Sequence, residues 1–404
     1  MYISRTIESA FQDWANDADR KPLLLRGARQ IGKTTTIRHF AQRFKSFVEL
    51  NFEDDPSLNA LFADNFDIPR ILSDLELRTQ TKIIPGETLL FLDEIQLCPR
   101  AISCLRYFYE KMPSLHVIAT GSLLEFAFGE ISDFGVGRIR NMFMHPLSFA
   151  EFLTAIGAGV SLEHARAATF EKPLSAVGHE TLLRHLKTFL VVGGMPAAVR
   201  KYAETQSLLS AQEQHRDILV SLRADFGKYK KRIPATRIVT VFDSVLSQTS
   251  EKFTYTNSTA GLSYRQSKEC TTLLEMARLI YRVDACHANG LPLGGDIKEN
   301  DNKFLFFDSG CDGGQKDEHL WGKPGDSLPA LFTVPAGIAT IRTTSQEGAC
   351  RRKVRNACCS FQSLVETYTR RDQDDKRQDH KNNERRVKGV LQEIVGASCA
   401  ETSP

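Results

Sequence analysis

The chain has 404 residues, of which 42% are hydrophobic and 25% charged, and its formal net charge is +3. That is the composition of a globular protein long enough for two or three domains with cores of their own. The charge is too small to argue for nucleic acid by itself, and no apolar stretch reaches the length of a membrane span.

Residues 4–18 predict an opening helix, with Ile7, Phe11 and Trp14 on one face. A short apolar strand at 22–26 follows, and then a loop that leads into a helix over 33–45 with Ile37, Phe40 and Phe44 at helical spacing. Residues 47–52 predict a second strand, and a helical stretch lies near 67–80. Thr88 to Leu92 form a continuous apolar run that ends in the carboxylates Asp93 and Glu94. A helix over 99–112 and a strand over 115–120 come next, closed by the turn Gly121-Ser122. Continuous apolar strands alternating with helices predict an α/β domain with a parallel sheet buried on both faces. Ligands of such sheets bind at the carboxyl ends of the strands, where the first loop, Asp93, Glu94 and Ser122 all fall.

The loop is the chemically informative stretch. Gly27, Ala28, Arg29, Gln30, Ile31, Gly32, Lys33 and Thr34 have the G-x-x-x-x-G-K-[ST] spacing of a phosphate-binding loop, and Thr35 follows. Backbone N–H groups of such a loop and of the helix N-terminus converge on one anion. Lys33 then reaches the terminal phosphates, and the Thr34 hydroxyl suits Mg²⁺. Asp93 suits the metal shell and Glu94 suits the base that orients a water. Ser122 is placed to sense the terminal phosphate by hydrogen bonding.

These motifs carry a family likeness. Gly-Ala-Arg-Gln-Ile-Gly-Lys-Thr-Thr at 27–35, Leu-Phe-Leu-Asp-Glu-Ile-Gln at 90–96 and Ala-Thr-Gly-Ser-Leu-Leu at 119–124 resemble an AAA-type P-loop ATPase. The similarity is to the prokaryotic branch fused to a C-terminal domain of unknown function. It extends through Val136-Gly137-Arg138, the stretch 146–153, Val192 to Val199 with its Gly-Gly-Met-Pro turn, and Asp225 to Tyr229. The resemblance implies ATP and Mg²⁺ as ligands, Ser122 as the sensor residue, and Arg138 as an arginine that touches a γ-phosphate in cis or from a neighbouring subunit. It also implies relatives that often assemble in rings. No guanine-reading N/T-K-x-D motif is visible, in keeping with ATP.

The expected domains are an ATPase domain over 1–153, a mostly helical, winged-helix-like region over 154–310, and a poorly structured tail over 311–404. Within the second, residues 154–180 predict a connection with weak helix, followed by helices over 179–191, from Pro196 onward, 206–222 with its end near Asp225, 237–248 and 264–276. Strand-like residues lie at 252–256, 279–283 and 303–308. Tyr264, Arg265, Lys268 and the run Lys228 to Arg232 mix basic and aromatic residues that could meet phosphates of a nucleic acid, although a solvated basic face is the plainer reading. A DNA or protein partner is therefore expected to engage residues 190–310.

Past Gly310 periodicity fades, and five of the nine cysteines crowd the last 94 residues at Cys311, Cys350, Cys358, Cys359 and Cys399. None of the nine forms a C-x-x-C pair. The family likeness implies a restriction-endonuclease-like fold here, with an Asp-Phe strand and a following Glu-x-Lys; neither is found. A shifted reading frame past codon 310 would produce this signature, and short helices near 350–368 and 383–396 are the most regularity expected. The N-terminus lacks a signal-peptide layout, so a cytoplasmic protein is expected. The functional expectation is Mg²⁺-dependent ATP hydrolysis that couples nucleotide state to the C-terminal region, with a slow, nucleotide-gated switch as the alternative.

Overall fold

The computed structural model describes residues 1–122, 124, 137–169, 171–228, 233–248, 252–255, 261–286 and 297–313. These fall in two compact units, one made of residues 1–162 with 183–313, the other of residues 163–182. All that follows on the site concerns the first unit.

Its sheet is built from β1 (Leu23–Arg26), β2 (Ser46–Asn51), β3 (Thr88–Asp93), β4 (His116–Gly121) and β5 (Arg140–Phe143). The five strands lie in the order β2-β3-β4-β1-β5, and every pairing is parallel. Burial follows position. Every residue of the inner strands β3 and β4 is buried, whereas the edge strands β2 and β5 are only partly covered. This is why β3 and β4 are unbroken apolar runs and why β5, Arg-Asn-Met-Phe, gave no strand signal in the sequence. Register aligns the carboxyl ends of the strands: Arg26 lies beside Gly121, Leu92 beside Ala119, and Asn51 beside Asp93.

Helices α1 (Ile7–Asn16), α2 (Lys33–Ala41), α3 (Ile68–Thr79) and α4 (Pro99–Lys111) cover the sheet. One core holds Phe11, Trp14, Leu23, Leu25, Ile37, Phe40 and Phe91; the other holds Leu24, Leu90, Leu92, Ile71, Leu75, Leu105 and Phe108. Helix α2 is shorter than its pattern predicts. The chain must already turn at Lys45, whose N–H donates to the Glu87 carbonyl, to enter β2 at Ser46. Phe44 nonetheless stays packed on Phe40, with ring centroids 5.7 Å apart.

Helix α5 (Phe149–Ala155) opens on a capping box, in which Ser148 and Glu151 satisfy each other's backbone N–H. The connection expected to be weakly helical carries α6 (Gly159–Ala167) and the start of α7 (Ala176–Val192). Then come α8 (Pro196–Thr205), α9 (Leu208–Asp225), α10 (Ala235–Ser247) and α11 (Tyr264–Met276). A β-hairpin of β6 (Ile280–Cys286) and β7 (Ile297–Phe306) follows, with Lys252 bridged antiparallel to Lys303, and α12 (Ser309–Gly313) comes last. These elements form the helical region that follows the sheet domain. Helix α9 ends at Asp225, where the sequence pattern also ends it.

Of the tail expected from 311, the described residues are 311–313. Cys311 is fully buried, with its thiol 3.4 Å from His215 Nδ1. The helices expected at 350–368 and 383–396 lie outside the described residues. No described helix is long and apolar enough to cross a membrane.

Candidate nucleotide site

The loop between β1 and α2 owes its shape to a few backbone positions. Gly27 has a φ of 154°, and a Cβ there would come within 2.3 Å of the Met144 carbonyl oxygen, so no larger residue fits. Gly32 begins α2 at a φ of 93°, and Gln30 also takes the left-handed region, at 62°. The buried Lys33 turns back into the loop, its Nζ donating to the carbonyls of Gly27 at 3.0 Å and Ala28 at 2.7 Å.

Strand ends supply the rest. The Thr34 hydroxyl donates to Asp93 Oδ2 at 2.8 Å, and Asp93 Oδ1 accepts from the Thr120 hydroxyl and, at 3.1 Å, from the Glu94 N–H. Asp93 is only 3% exposed, so these partners stand in for the water it has lost. Glu94 sits at a φ of 51°, an uncommon conformation for a non-glycine residue that turns the chain sharply out of β3. Its Oε2 accepts from Gln96 Nε2 at 2.5 Å and from the Ser122 hydroxyl at 3.4 Å.

These groups border a cavity of about 310 Å³. Arg29, Gln30, Gly32, Lys33, Thr34, Thr35, Glu94 and Ser122 line it. Of the residues singled out in the sequence, Asp93 lies just behind this wall, bonded to Thr34. Arg138 does not line the cavity; it is exposed and paired with Glu110 of α4 at 2.7 Å. Ile31 is a fully buried core residue whose carbonyl, not its side chain, takes part in the loop's bonding.

Other lining residues were not singled out as site residues. Met1, Tyr2, Ile3 and Arg5 precede α1, and Arg200 belongs to α8; Leu147 before α5 and Pro196 and Ala197 of α8 fall in the stretches of family likeness, which gave them no role. Arg5 is buried and binds several elements at once: Nη1 donates to the Ile31 carbonyl at 2.8 Å, Nη2 to the His145 carbonyl at 2.6 Å, and Nε to Glu151 at 3.2 Å. Burial alone would raise the Glu151 pKa, but the Arg5 charge and the Ser148 and Thr6 N–H groups more than offset it and hold the carboxyl below its ordinary value. The Gly193-Gly194 turn places α8 at the cavity. Gly194 N–H donates to Asp308 at 2.6 Å, its carbonyl accepts from Leu147 N–H at 2.7 Å, and a Cβ at Gly194 would lie 2.3 Å from the Leu147 oxygen.

Around the cavity stand the backbone of a glycine loop, a lysine, the α2 N-terminus, a hydroxyl and two carboxylates, which is equipment for a polyphosphate and its cation. The lining also has apolar residues, Ile3, Leu147, Pro196 and Ala197, and the Tyr2 ring, which stacks on His39 at 3.8 Å between centroids. The Thr34 hydroxyl and Asp93 carboxylate are hard oxygen donors that already face each other, a pair that fits Mg²⁺.

Comparison with known proteins agrees with this geometry. Residues 19–153 match a family described as an AAA domain. Together with the parallel sheet order and the glycine loop, that decides the architecture. The fold is a P-loop NTPase. Residues 183–311 match a family described only as a domain of unknown function, DUF8612, and that match stops where the sequence changes character. Among solved structures, the Walker-type ATPase of Pyrococcus abyssi is similar at a TM-score of 0.50 and 14% identity, over 78% of this chain and 95% of that one. The Orc1 protein of Aeropyrum pernix in complex with DNA matches at 0.31 and 12%, over 76% and 90%. The RuvB Holliday junction branch migration motor of Thermotoga maritima matches at 0.31 and 16%, over 74% and 93%. No curated protein matches the chain.

Proposed function

We propose that this P-loop NTPase binds ATP with Mg²⁺ in the cavity and hydrolyses it, and that α8 and α9 transmit the nucleotide state to the helical region. The observation that carries the reading is the convergence of Lys33, Thr34, Asp93, Glu94 and Ser122 from the ends of β1, β3 and β4 on one cavity of about 310 Å³. Thr34 and Asp93 would hold the cation, which shields phosphate charge when bound. Lys33 would leave the Gly27 and Ala28 carbonyls for the β- and γ-phosphates. Water would attack the γ-phosphorus, the bond to the bridging oxygen would break, and Glu94 would orient that water and take its proton. Ser122, already bonded to Glu94, would report the terminal phosphate. The apolar lining residues would pack against the adenine.

The domain bounds proposed with this reading are 1–153 for the ATPase and 154–310 for the coupled region, with an atypical tail over 311–404, either disordered or frame-shifted. Arg138 would act from a neighbouring subunit, because its own cavity does not include it. Lys228, Tyr264, Arg265 and Lys268 are candidate contacts for a DNA partner. Of these, Tyr264 and Arg265 are exposed, while residues 229–232 of the same cluster lie outside the described residues. A second reading, a slow switch, is favoured by the Glu94 carboxylate already being held by Gln96 and Ser122.

The test is equilibrium binding of ATP and GTP with and without Mg²⁺, on the wild type and Lys33→Ala. ATP should bind more tightly than GTP, and the variant should lose at least about 30-fold, or roughly 2 kcal/mol, of affinity. Equal binding by wild type and variant would reject the site.

A further inference from the structure

The phosphate loop is bonded directly to the helical region. Arg29 Nη1 pairs with Asp225 Oδ2 at the end of α9, and Arg29 Nη2 lies 3.7 Å from Glu53 Oε2, beyond β2. One turn earlier on α9, Ser221 Oγ accepts from Gln30 Nε2 at 3.0 Å. Adjacent residues of the loop thus hold adjacent turns of one helix, 191 and 196 positions away in the chain. The Arg29 cation also sits at the carboxyl end of α9, where the helix dipole favours positive charge. Burial opposes that charge, but the hydrogen bond and charge of Asp225 outweigh it and keep the guanidinium firmly protonated.

Arg29 lines the cavity as well. Its single guanidinium therefore faces two claimants: carboxylates on one side and the space for phosphate on the other. A bound polyphosphate would draw it from Asp225, and Asp225 would weaken polyphosphate binding by holding it. Beyond Asp225 the chain is stiffly anchored. Phe226 is fully buried, edge-on to Phe242 at 5.1 Å, and Phe242 packs on Phe306 of β7 at 5.3 Å. Arg223 ties α9 to Asp243 of α10 at 2.7 Å. What moves Asp225 is thus in contact with the base of the hairpin.

We infer that the Arg29–Asp225 pair is a nucleotide-released latch, through which phosphate in the cavity loosens the end of α9. This rests on the reading of the cavity as a nucleotide site. Linkage makes the effect reciprocal: removing the latch must tighten nucleotide binding by the factor with which nucleotide weakens the latch.

The experiment uses the full chain and the non-hydrolysable ATP analogue AMP-PNP with Mg²⁺. Affinity is measured for the wild type, Asp225→Asn, Asp225→Glu and Glu53→Gln, alongside amide hydrogen exchange over 217–228. Asp225→Asn should bind at least about fivefold more tightly, the lower end of usual coupling factors. Asp225→Glu should stay near the wild type. Glu53→Gln removes a neighbouring negative charge outside α9 and should tighten binding less than Asp225→Asn. In the wild type AMP-PNP should speed exchange at the end of α9; in Asp225→Asn exchange should be fast already and insensitive to nucleotide. Unchanged or weaker binding by Asp225→Asn, an equal gain from Glu53→Gln, or wild-type exchange that ignores nucleotide overturns the latch. Failure of the wild type to bind AMP-PNP at all would instead remove the nucleotide reading, and the latch with it.

Discussion

Glu94 is where side-chain chemistry and backbone geometry meet. Its left-handed backbone lifts the carboxylate off the end of β3, and Gln96 and Ser122 then fix it beside the cavity. His145 shows a different residue-scale effect. Desolvation, then the nearby charges of Arg278 and Arg5, push its pKa down to about 4, while burial pushes that of its partner Tyr281 up to about 12. His145 Nδ1 and the Tyr281 hydroxyl are 3.0 Å apart, which suits a neutral imidazole accepting from a protonated phenol. The sign follows from a lowered folded-state value. Between pH 6.5 and about 4 the unfolded chain binds a proton that the folded chain does not, so stability falls as pH falls through that window. The full effect is about 3 kcal/mol at most. Urea denaturation at pH 7 and pH 4.5 should show a smaller pH-dependent loss in His145→Gln than in the wild type; equal losses would reject the assignment.

At the scale of elements, two tight approaches set the cavity's walls. The Gly27 contact with the Met144 carbonyl seats the loop after β1 against the chain leaving β5. Gly27→Ala should destabilise the protein by about 2–4 kcal/mol, seen as a lower urea midpoint with an unchanged slope. The second wall is α8, seated by the Asp308 carboxylate. It accepts from the N–H groups of Gly194, Gly310 and Cys311 and so ties the end of β7 to the turn before Pro196. Asp308→Ala strands these buried donors and should cost about 2–4 kcal/mol. Because α8 borders the cavity, the same change should weaken ATP binding, whereas an equally destabilising substitution far from α8 should not. The sequence shows the turn but not its partner 114 residues away. It likewise shows the glycine loop, the apolar strands and Asp93-Glu94, because spacing and hydropathy are local. Tyr2, Arg5 and Arg200 were not legible, and Asp225 stood only in a stretch of family likeness with no role, since each reaches the cavity or its loop only through tertiary packing. The strand β5 was hidden for a related reason: four polar-leading residues at a sheet edge leave no period to read.

Over the whole molecule, the parallel sheet sets out the phosphate-binding groups of the cavity, and the helical region supplies part of its rim. Pro196, Ala197 and Arg200 line it. Nucleotide binding should therefore raise the global stability of the helical region as well as of the sheet, even as it loosens the end of α9 locally. At ATP concentrations about 100-fold above Kd the gain should be close to 2.7 kcal/mol, seen as a single cooperative transition moving to higher denaturant. Two transitions, with only one shifted, would show that the region is not part of the site. The central claim is that Glu94, presented by β3, serves hydrolysis. Its most direct test is steady-state ATP turnover of the full chain with Mg²⁺, wild type against Glu94→Gln, with ATP affinity measured in parallel. The predicted result is turnover lower by about 100-fold or more with affinity nearly unchanged; equal turnover by the two proteins would contradict it.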